Sequence, residues 1–294
     1  MIPKPWSRRE MLKTSARCGV AGMALSLARP TLAEEESRMR FRIGACDWTL
    51  GKRSDLGSFA VAKEIGLDGV QVDVGNPDND FPLFKADVQQ QFLEESKKQE
   101  VAIASLAMGV LNNVPYKSDP RPVEWVAQSI DVAKAVGVDV ILLAFFSEGD
   151  LRDDPKGKDE VVKRLAEVAP KAEKAGVSLA IESWLSAEEH VDIIDRVGSP
   201  AIKVYYDVGN SNHVGHDIYE EIRFLGDRIC EFHAKDYDDL YGKGSIDFKK
   251  VRAAMDDIGY SGWINMEGVK MPLGVEESCR YDLEYLRTVF PAKV

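Results

Sequence analysis

Eight short runs rich in Val and Ile recur along the 294-residue chain, each followed by a longer stretch with helical spacing. This alternation constrains the fold more than any other feature. The runs are FRIGACDW (41–48), GVQVDV (69–74), VAIASLAM (101–108), VDVILLAF (138–145), VSLAIESW (177–184), AIKVYYDV (201–208), ICEFHAK (229–235) and WINMEG (263–268). Short, nearly continuous apolar runs read as strands buried on both faces, as in a parallel sheet with helical crossovers. Between them, LGSFAVAKEIG sets Phe59, Ala62, Ile65 and Gly66 on one face, and VEWVAQSIDVAKAVG does the same with Trp125, Ser129, Val132 and Val136. DEVVKRLAEVAPKAEKAG repeats the pattern with Val162, Leu165, Val168 and Ala172. Gly66, Gly137, Gly176 and Gly259 fall where such helices should close.

Eight strand–helix units in about 250 residues predict a single (β/α)₈ TIM barrel over residues 41–294, an α/β fold. A doubly wound open sheet is the alternative, but no Gly-rich phosphate fingerprint follows the first strand. The N-terminus departs from the pattern. SRREMLK places Arg8 and Arg9 before the mild apolar run CGVAGMALSLA, and RPTLA ends in small Ala33. A basic region, a short apolar region and a small residue before the cut describe a secretory signal, here of twin-arginine type, over residues 1–33. Residues 34–40 read as a linker. The expectation is export in folded form to the periplasm or outside the cell, with no membrane anchor after processing; no apolar run is long enough for an ordinary span.

Residues 1–33 hold six basic residues (Lys4, Arg8, Arg9, Lys13, Arg17 and Arg29) and one acid (Glu10). The rest of the chain keeps 32 basic against 48 acidic residues, a net charge of −16. Such a surface repels phosphate backbones, so nucleic acid is not an expected partner. Beyond Cys18, the cysteines Cys46, Cys230 and Cys279 are too widely spaced to indicate a disulfide framework or a thiolate zinc site. A homo-oligomer is an allowed assembly.

In a (β/α)₈ barrel the chemistry sits at the C-terminal ends of the strands. Four successive strand ends carry metal-type ligands: Glu182 in AIESW, Asp207 in YYDVGN, His233 in EFHAKD and Glu267 in INMEG. Clustered carboxylates raise one another's pKa, and a divalent cation removes that penalty. Three carboxylates and an imidazole suit Mn²⁺ best, with Mg²⁺, Co²⁺ or Zn²⁺ as alternatives. Four ligands on a six-coordinate ion leave two adjacent positions for a carbonyl beside a hydroxyl. A small molecule carrying that pair of groups, as a carbohydrate does, would fill them.

The four strand ends, together with HAKD, GKGSIDF (242–248) and GYSGWINMEG (259–268), resemble the xylose isomerase-like TIM-barrel superfamily, the sugar isomerase and epimerase group. The resemblance implies that Glu182, Asp207, His233 and Glu267 are metal ligands. It further implies that Glu182 and Glu267 act as acid and base on opposite faces of a sugar. Two departures stand out against the ketose 3-epimerases of the group. Asn210 occupies the position of a histidine three residues after the strand-six aspartate, and HAKDYDD lacks an arginine shortly after the strand-seven histidine.

The chemistry expected is proton abstraction next to a carbonyl through a metal-stabilised enediolate, on an unphosphorylated sugar or sugar derivative. Return of the proton gives an epimerase or isomerase. Loss of a β-substituent gives a lyase or dehydratase on a keto-sugar, keto-glycoside or keto-inositol. A sugar-binding protein without catalysis and a DNA-repair endonuclease are the other classes; the acidic charge and four histidines in total argue against the latter.

Around the four ligands, Lys235, Asn210, Trp184 and Asp236 are candidate substrate contacts, and Trp48 a candidate wall. Lys235 is expected to touch substrate oxygens or to pair with Asp236. His190 reads as a helix-surface residue, and His213 and His216 as solvated or capping. Strand alternation turns Lys203, Tyr205 and Glu231 inward with Asp207 and His233, so Lys203 and Glu231 are expected to pair inside the barrel.

Overall fold

The structure is a computed structural model that describes residues 40–292; the proposed export signal lies outside them. Eight parallel strands close into a barrel in chain order: β1 Phe41–Cys46, β2 Gly69–Asp73, β3 Ala102–Met108, β4 Val140–Phe145, β5 Ser178–Ser183, β6 Ile202–Asp207, β7 Ile229–Ala234 and β8 Gly262–Met266. β1 closes on β8 through the register Phe41–Gly262 to Ala45–Met266. The crossover helices are α1 Gly57–Ile65, α2 Ala86–Gln99, α3 Arg121–Val136, α4 Pro155–Ala175, α5 Ala187–Val197, the short α6 Val208–His213 followed by α7 Ile218–Leu225, α8 Phe248–Asp257 and α9 Val275–Val289.

The helices form because their apolar stripes have somewhere to go. Phe59, Ala62 and Ile65 of α1, and Leu165, Val168 and Ala172 of α4, are buried against the outer face of the strands. Trp125 and Val162, expected on these stripes, are only partly buried at their edges. Gly66 ends α1 at φ +96, a left-handed conformation that lets the chain turn straight into β2.

Two cores result. The larger lies between strands and helices, and a smaller one fills the barrel with Ala107, Leu142, Ala144, Ala180 and Tyr205. Strand alternation delivers different side chains to the barrel interior around its circumference. β4 supplies only Val140, Leu142 and Ala144 to the inner core. β2, β3, β7 and β8 supply Gln71, Ser105, Glu231, His233 and Asn265, all buried.

These polar groups are connected. Gln71 Nε2 donates to Ser105 Oγ (3.0 Å), Ser105 Oγ donates to Glu231 Oε2 (2.7 Å), and Asn265 Nδ2 donates to Glu231 Oε2 (3.2 Å) and to Tyr205 Oη (2.8 Å). Burial pushes the Glu231 carboxyl up to about 8, so it is accommodated as a neutral acid. The expected Lys203–Glu231 pair is therefore not made. Lys203 Nζ instead donates to Asp227 O (3.0 Å). A register irregularity between Val204 and Tyr205 separates the two levels. Lys203 lies near the start of β6, where its long side chain reaches the turn before β7 at lower desolvation cost than the barrel interior.

Candidate active site

β5 to β8 end in the four predicted ligands. Ligand atoms of Glu182, Asp207, His233 and Glu267 all lie within 4.8 Å of one another. His233 Nδ1 is 3.0 Å from Glu182 Oε1, 3.5 Å from Glu267 Oε2 and 3.6 Å from Asp207 Oδ2. Asp207 serves two purposes at the strand–helix junction. Its Oδ1 accepts from Asn210 N (2.8 Å) and caps α6, while Oδ2 faces the cluster. Glu267 follows β8 directly, and both its oxygens are held: Trp48 Nε1 donates to Oε1 (3.0 Å) and Lys235 Nζ to Oε2 (2.8 Å).

His233 is fully buried, and its other nitrogen is specified from below. Nε2 lies 2.8 Å from Gln71 Oε1, which also accepts from Cys46 Sγ (3.3 Å). Gln71 Nε2 is already committed to Ser105, so its oxygen is the atom presented to the ring. The bond requires Nε2–H, which leaves the Nδ1 lone pair aimed at Glu182 Oε1. Two acceptors at 3.0 Å need a cation between them, a proton or a metal ion. The donor set fits a hard divalent cation: three carboxylate oxygens and one neutral imidazole whose tautomer is fixed by an outer partner.

The electrostatics agree. Burial, with Glu267 and Asp207 nearby, pushes Glu182 up to about 7 despite the adjacent His233. Burial also acts to raise Asp207, but Lys235 and His233 hold it well below the usual carboxylate range. Burial opposes charge on Lys235, yet Asp207 and Glu267 draw its pKa upward. Lys235 is thus, among the described residues, the one lysine lining a centre dominated by carboxylates.

The neighbouring candidates are placed as follows. Asn210 is buried, and its Nδ2 donates to Asp207 Oδ2 (2.9 Å) and Glu182 Oε1 (3.3 Å). Tyr237 Oη donates to Asn210 Oδ1 (2.6 Å) and fixes that amide. Trp48 and Trp184 line the cavity of about 220 Å³ above the cluster with Phe146, Asn210, Lys235 and Tyr237. Phe146 meets Trp184 edge-on at 5.0 Å, and the Arg152 guanidinium lies 4.4 Å from the Trp184 ring.

Asp236 is not among the lining residues. Its carboxylate accepts from Asp238 N (3.0 Å) and Ile246 N (3.0 Å) and organises the loop after β7. Lys235 accordingly pairs with Glu267 and not with Asp236. His190 is buried, not exposed: it is held by Ser183 Oγ (3.0 Å) and Ser186 O (2.9 Å) beneath the β5 loop. The His213 ring lies 4.6 Å from the Tyr237 ring in a tilted arrangement, and His216 Nε2 lies 3.4 Å from Trp184 O.

Several residues at the site carried no signal that sequence reasoning used. Gln71 is a lone amide inside an apolar run, which could have marked it. Arg53 lies in the β1 loop and lines the same cavity. Its Nη1 donates to buried Asp73 Oδ2 (2.9 Å), and its guanidinium lies 5.0 Å from the Trp48 ring. Only the fold brings Arg53 and Tyr237 to the mouth.

Comparisons with known proteins agree with this geometry. The model of the Xylose isomerase-like TIM barrel family matches residues 59–289. The chain is 27% identical over 180 residues to a 2-epi-5-epi-valiolone 7-phosphate 2-epimerase of Actinoplanes sp., covering 61% of this chain and 66% of that one. It is 29% identical over 134 residues to a D-psicose 3-epimerase of Enterocloster bolteae, covering 42% and 44%. The matches thus span under two thirds of these relatives' own length. Among solved structures, D-psicose 3-epimerase from Clostridium cellulolyticum H10 superposes with a TM-score of 0.73 at 18% identity, over 85% of this chain and 99% of that one. A 3-keto-D-glucoside 4-epimerase from E. coli gives 0.71 at 15%, over 84% and 99%. With a family model covering most of the barrel, the chain belongs to the Xylose isomerase-like TIM barrel family.

Proposed function

We propose that the protein is a metal-dependent isomerase or epimerase of an unphosphorylated sugar or sugar derivative. The observation that carries this reading is the convergence of three carboxylates on His233 Nδ1 at the barrel mouth, within 4.8 Å of one another. The epimerase relatives support the reaction class.

Glu182, Asp207, His233 and Glu267 would hold the ion, which supplies Lewis-acid polarisation of a carbonyl and its neighbouring hydroxyl. The chain's own groups do the proton chemistry. Glu267 has both oxygens fixed by Trp48 and Lys235, so it is positioned to take a carbon-bound proton. Glu182, the other glutamate of the cluster, is placed to return a proton to the carbon that lost it. Asn210, locked by Tyr237, keeps the Glu182 and Asp207 carboxylates in register. Trp48, Phe146 and Trp184 wall the cavity and limit water at the reacting carbon. Manganese is the ion we favour on the hardness of the donor set.

The test is a sugar and keto-sugar panel in D₂O with added Mn²⁺, reading carbon-bound deuterium by NMR. Deuterium incorporation is expected with wild type and is lost in Glu182→Gln and in Glu267→Gln. Full exchange in both variants would remove the two glutamates from the mechanism. We further propose that residues 1–33 direct export of the folded protein; replacing Arg8 and Arg9 by Lys should leave it in the cytoplasm on fractionation, and normal export would refute this.

A further inference from the structure

The cavity above the ligand cluster does not end at its wall. A second depression of about 490 Å³ adjoins it between the loops after β1, β2 and β3, and the two share Arg53, Gly109 and Asn112. The joint is built to stay open. A Cβ at Gly109 would stand 2.7 Å from Asp73 Oδ2 and 3.0 Å from Arg53 Nη1, so a side chain there would collide with the ion pair. Arg53 itself is held in place: Nη1 is tied to Asp73, and the guanidinium lies against Trp48, which reaches Glu267. Asp73 is anchored by Gly75 N (2.8 Å), and Ser54 adopts φ +53, a conformation rare for serine. Asn112 accepts from Phe146 N (3.0 Å) through Oδ1, which orients its amide at the joint and leaves the NH₂ group to donate.

The lining of the second lobe says what it can take. Arg53 and Arg121 are balanced by Asp73 and Asp78, and Asn76, Asn112 and Asn113 add uncharged polar groups. Arg121 is already committed to Asp119 through Nη2 (2.7 Å) and Nε (3.0 Å). A phosphate needs uncompensated cations, which the lobe lacks. A purely apolar group would strip water from the amides without replacing their hydrogen bonds. A hydroxyl-rich group supplies donors and acceptors together and matches both.

We propose that the catalytic pocket continues past Arg53 into a second subsite that binds a neutral, hydroxylated substituent, so that the substrate is a sugar carrying a second sugar unit. This rests on the reading of the first lobe as the site of the reacting sugar. Arg53, with donors left over from its bond to Asp73, marks the junction between the two units.

The experiment is calorimetric titration of the Mn²⁺-loaded protein with matched pairs: methyl α-D-glucopyranoside against maltose, and methyl β-D-glucopyranoside against cellobiose, with glucose 6-phosphate as the anionic probe. At least one disaccharide should bind tenfold or more tightly than its methyl glycoside. Asn113→Trp, which fills the second lobe from an exposed position, should erase that advantage while methyl glycoside binding and Tm stay unchanged. Asp78→Ala, also exposed, should reduce it in part. A disaccharide with no advantage in either pair, an equal loss for both ligands in Asn113→Trp, or glucose 6-phosphate as the tightest ligand each overturns the proposal. Deuterium exchange on monosaccharides without a disaccharide advantage would keep the reaction and remove the subsite. A disaccharide advantage without exchange on any sugar would do the reverse.

Discussion

The two halves of the barrel mouth are built on different chemistry. From β5 to β8 each strand end contributes a ligand atom to one cluster, and those atoms share hydrogen bonds with Asn210, Trp48 and Lys235. From β1 to β4 the ends carry Trp48, the Arg53–Asp73 pair, Gly109 and Phe146, which line space and do not converge on an ion. Asp47 and Asp73 are also buried carboxylates, and burial raises both. Yet Asp47 Oδ2 accepts from the backbone amides of Ser54 and Asp73, and the Asp73 oxygens accept from Gly75 N and from Arg53. The same residue type thus gathers into a candidate ligand cluster on one side and organises loops on the other, and the partners, not the residue type, tell them apart.

The comparison is broken or sharpened most strongly by making the same acid-to-amide change on each side. Glu267→Gln should lower deuterium exchange by about 10²–10⁴-fold. Asp73→Asn should lower it less than tenfold, while costing about 1–2 kcal/mol in urea unfolding as Arg53 loses its charged partner. Equal losses of exchange would erase the distinction between the halves.

A smaller effect tests the link across the barrel. Gln71 belongs to β2 but acts on a β7 ligand through His233 Nε2. Removing such an outer partner typically weakens metal affinity by about 10–100-fold. Gln71→Ala should show this drop in competition with a chelator. An unchanged affinity would mean that the tautomer of His233 is set by the carboxylates alone.

His190 gives a pH signature confined to the ligand-bearing half. Burial lowers its pKa from the ordinary 6.5 to about 4, so it stays neutral between Ser183 and Ser186. Between these values the unfolded chain binds a proton that the folded one does not, so stability falls as pH drops from 6.5 toward 4, by up to about 3 kcal/mol for this group. Urea melts at pH 7 and pH 4.5 should show a shallower decline in His190→Gln than in wild type. Parallel declines would mean that this histidine does not report on acid sensitivity.

Trp184→Phe is the mildest change. It keeps the wall against Phe146 and loses only part of the ring face, so exchange should weaken by no more than a few-fold. A loss as large as that of Glu267→Gln would give this wall a part in the chemistry itself.

Much of this was legible in the chain, for identifiable reasons. The strands begin and end within two residues of the apolar runs, because a strand buried on both faces has little freedom in composition. The four ligands stood out because period-two alternation and one shared depth place strand-end residues together. What escaped detection depended on long-range partners. Arg53 and Tyr237 lie in loops, and nothing local shows that one meets Asp73 while the other locks Asn210. Asp236 sits beside Lys235, which lines the cavity, but its carboxylate turns to the amides of its own loop. Alternation alone pairs Lys203 with Glu231, but an extra residue in β7, Cys230, shifts the register between them; neutral Glu231 needs no counter-ion.

The most direct measurement is a calorimetric titration of chelator-treated protein with Mn²⁺, alongside elemental analysis of the protein as purified. The account predicts one divalent ion per chain, with binding abolished in His233→Ala although the fold, read by circular dichroism, survives. Protein that takes up no ion, or a His233→Ala variant that binds as well as wild type, would contradict it.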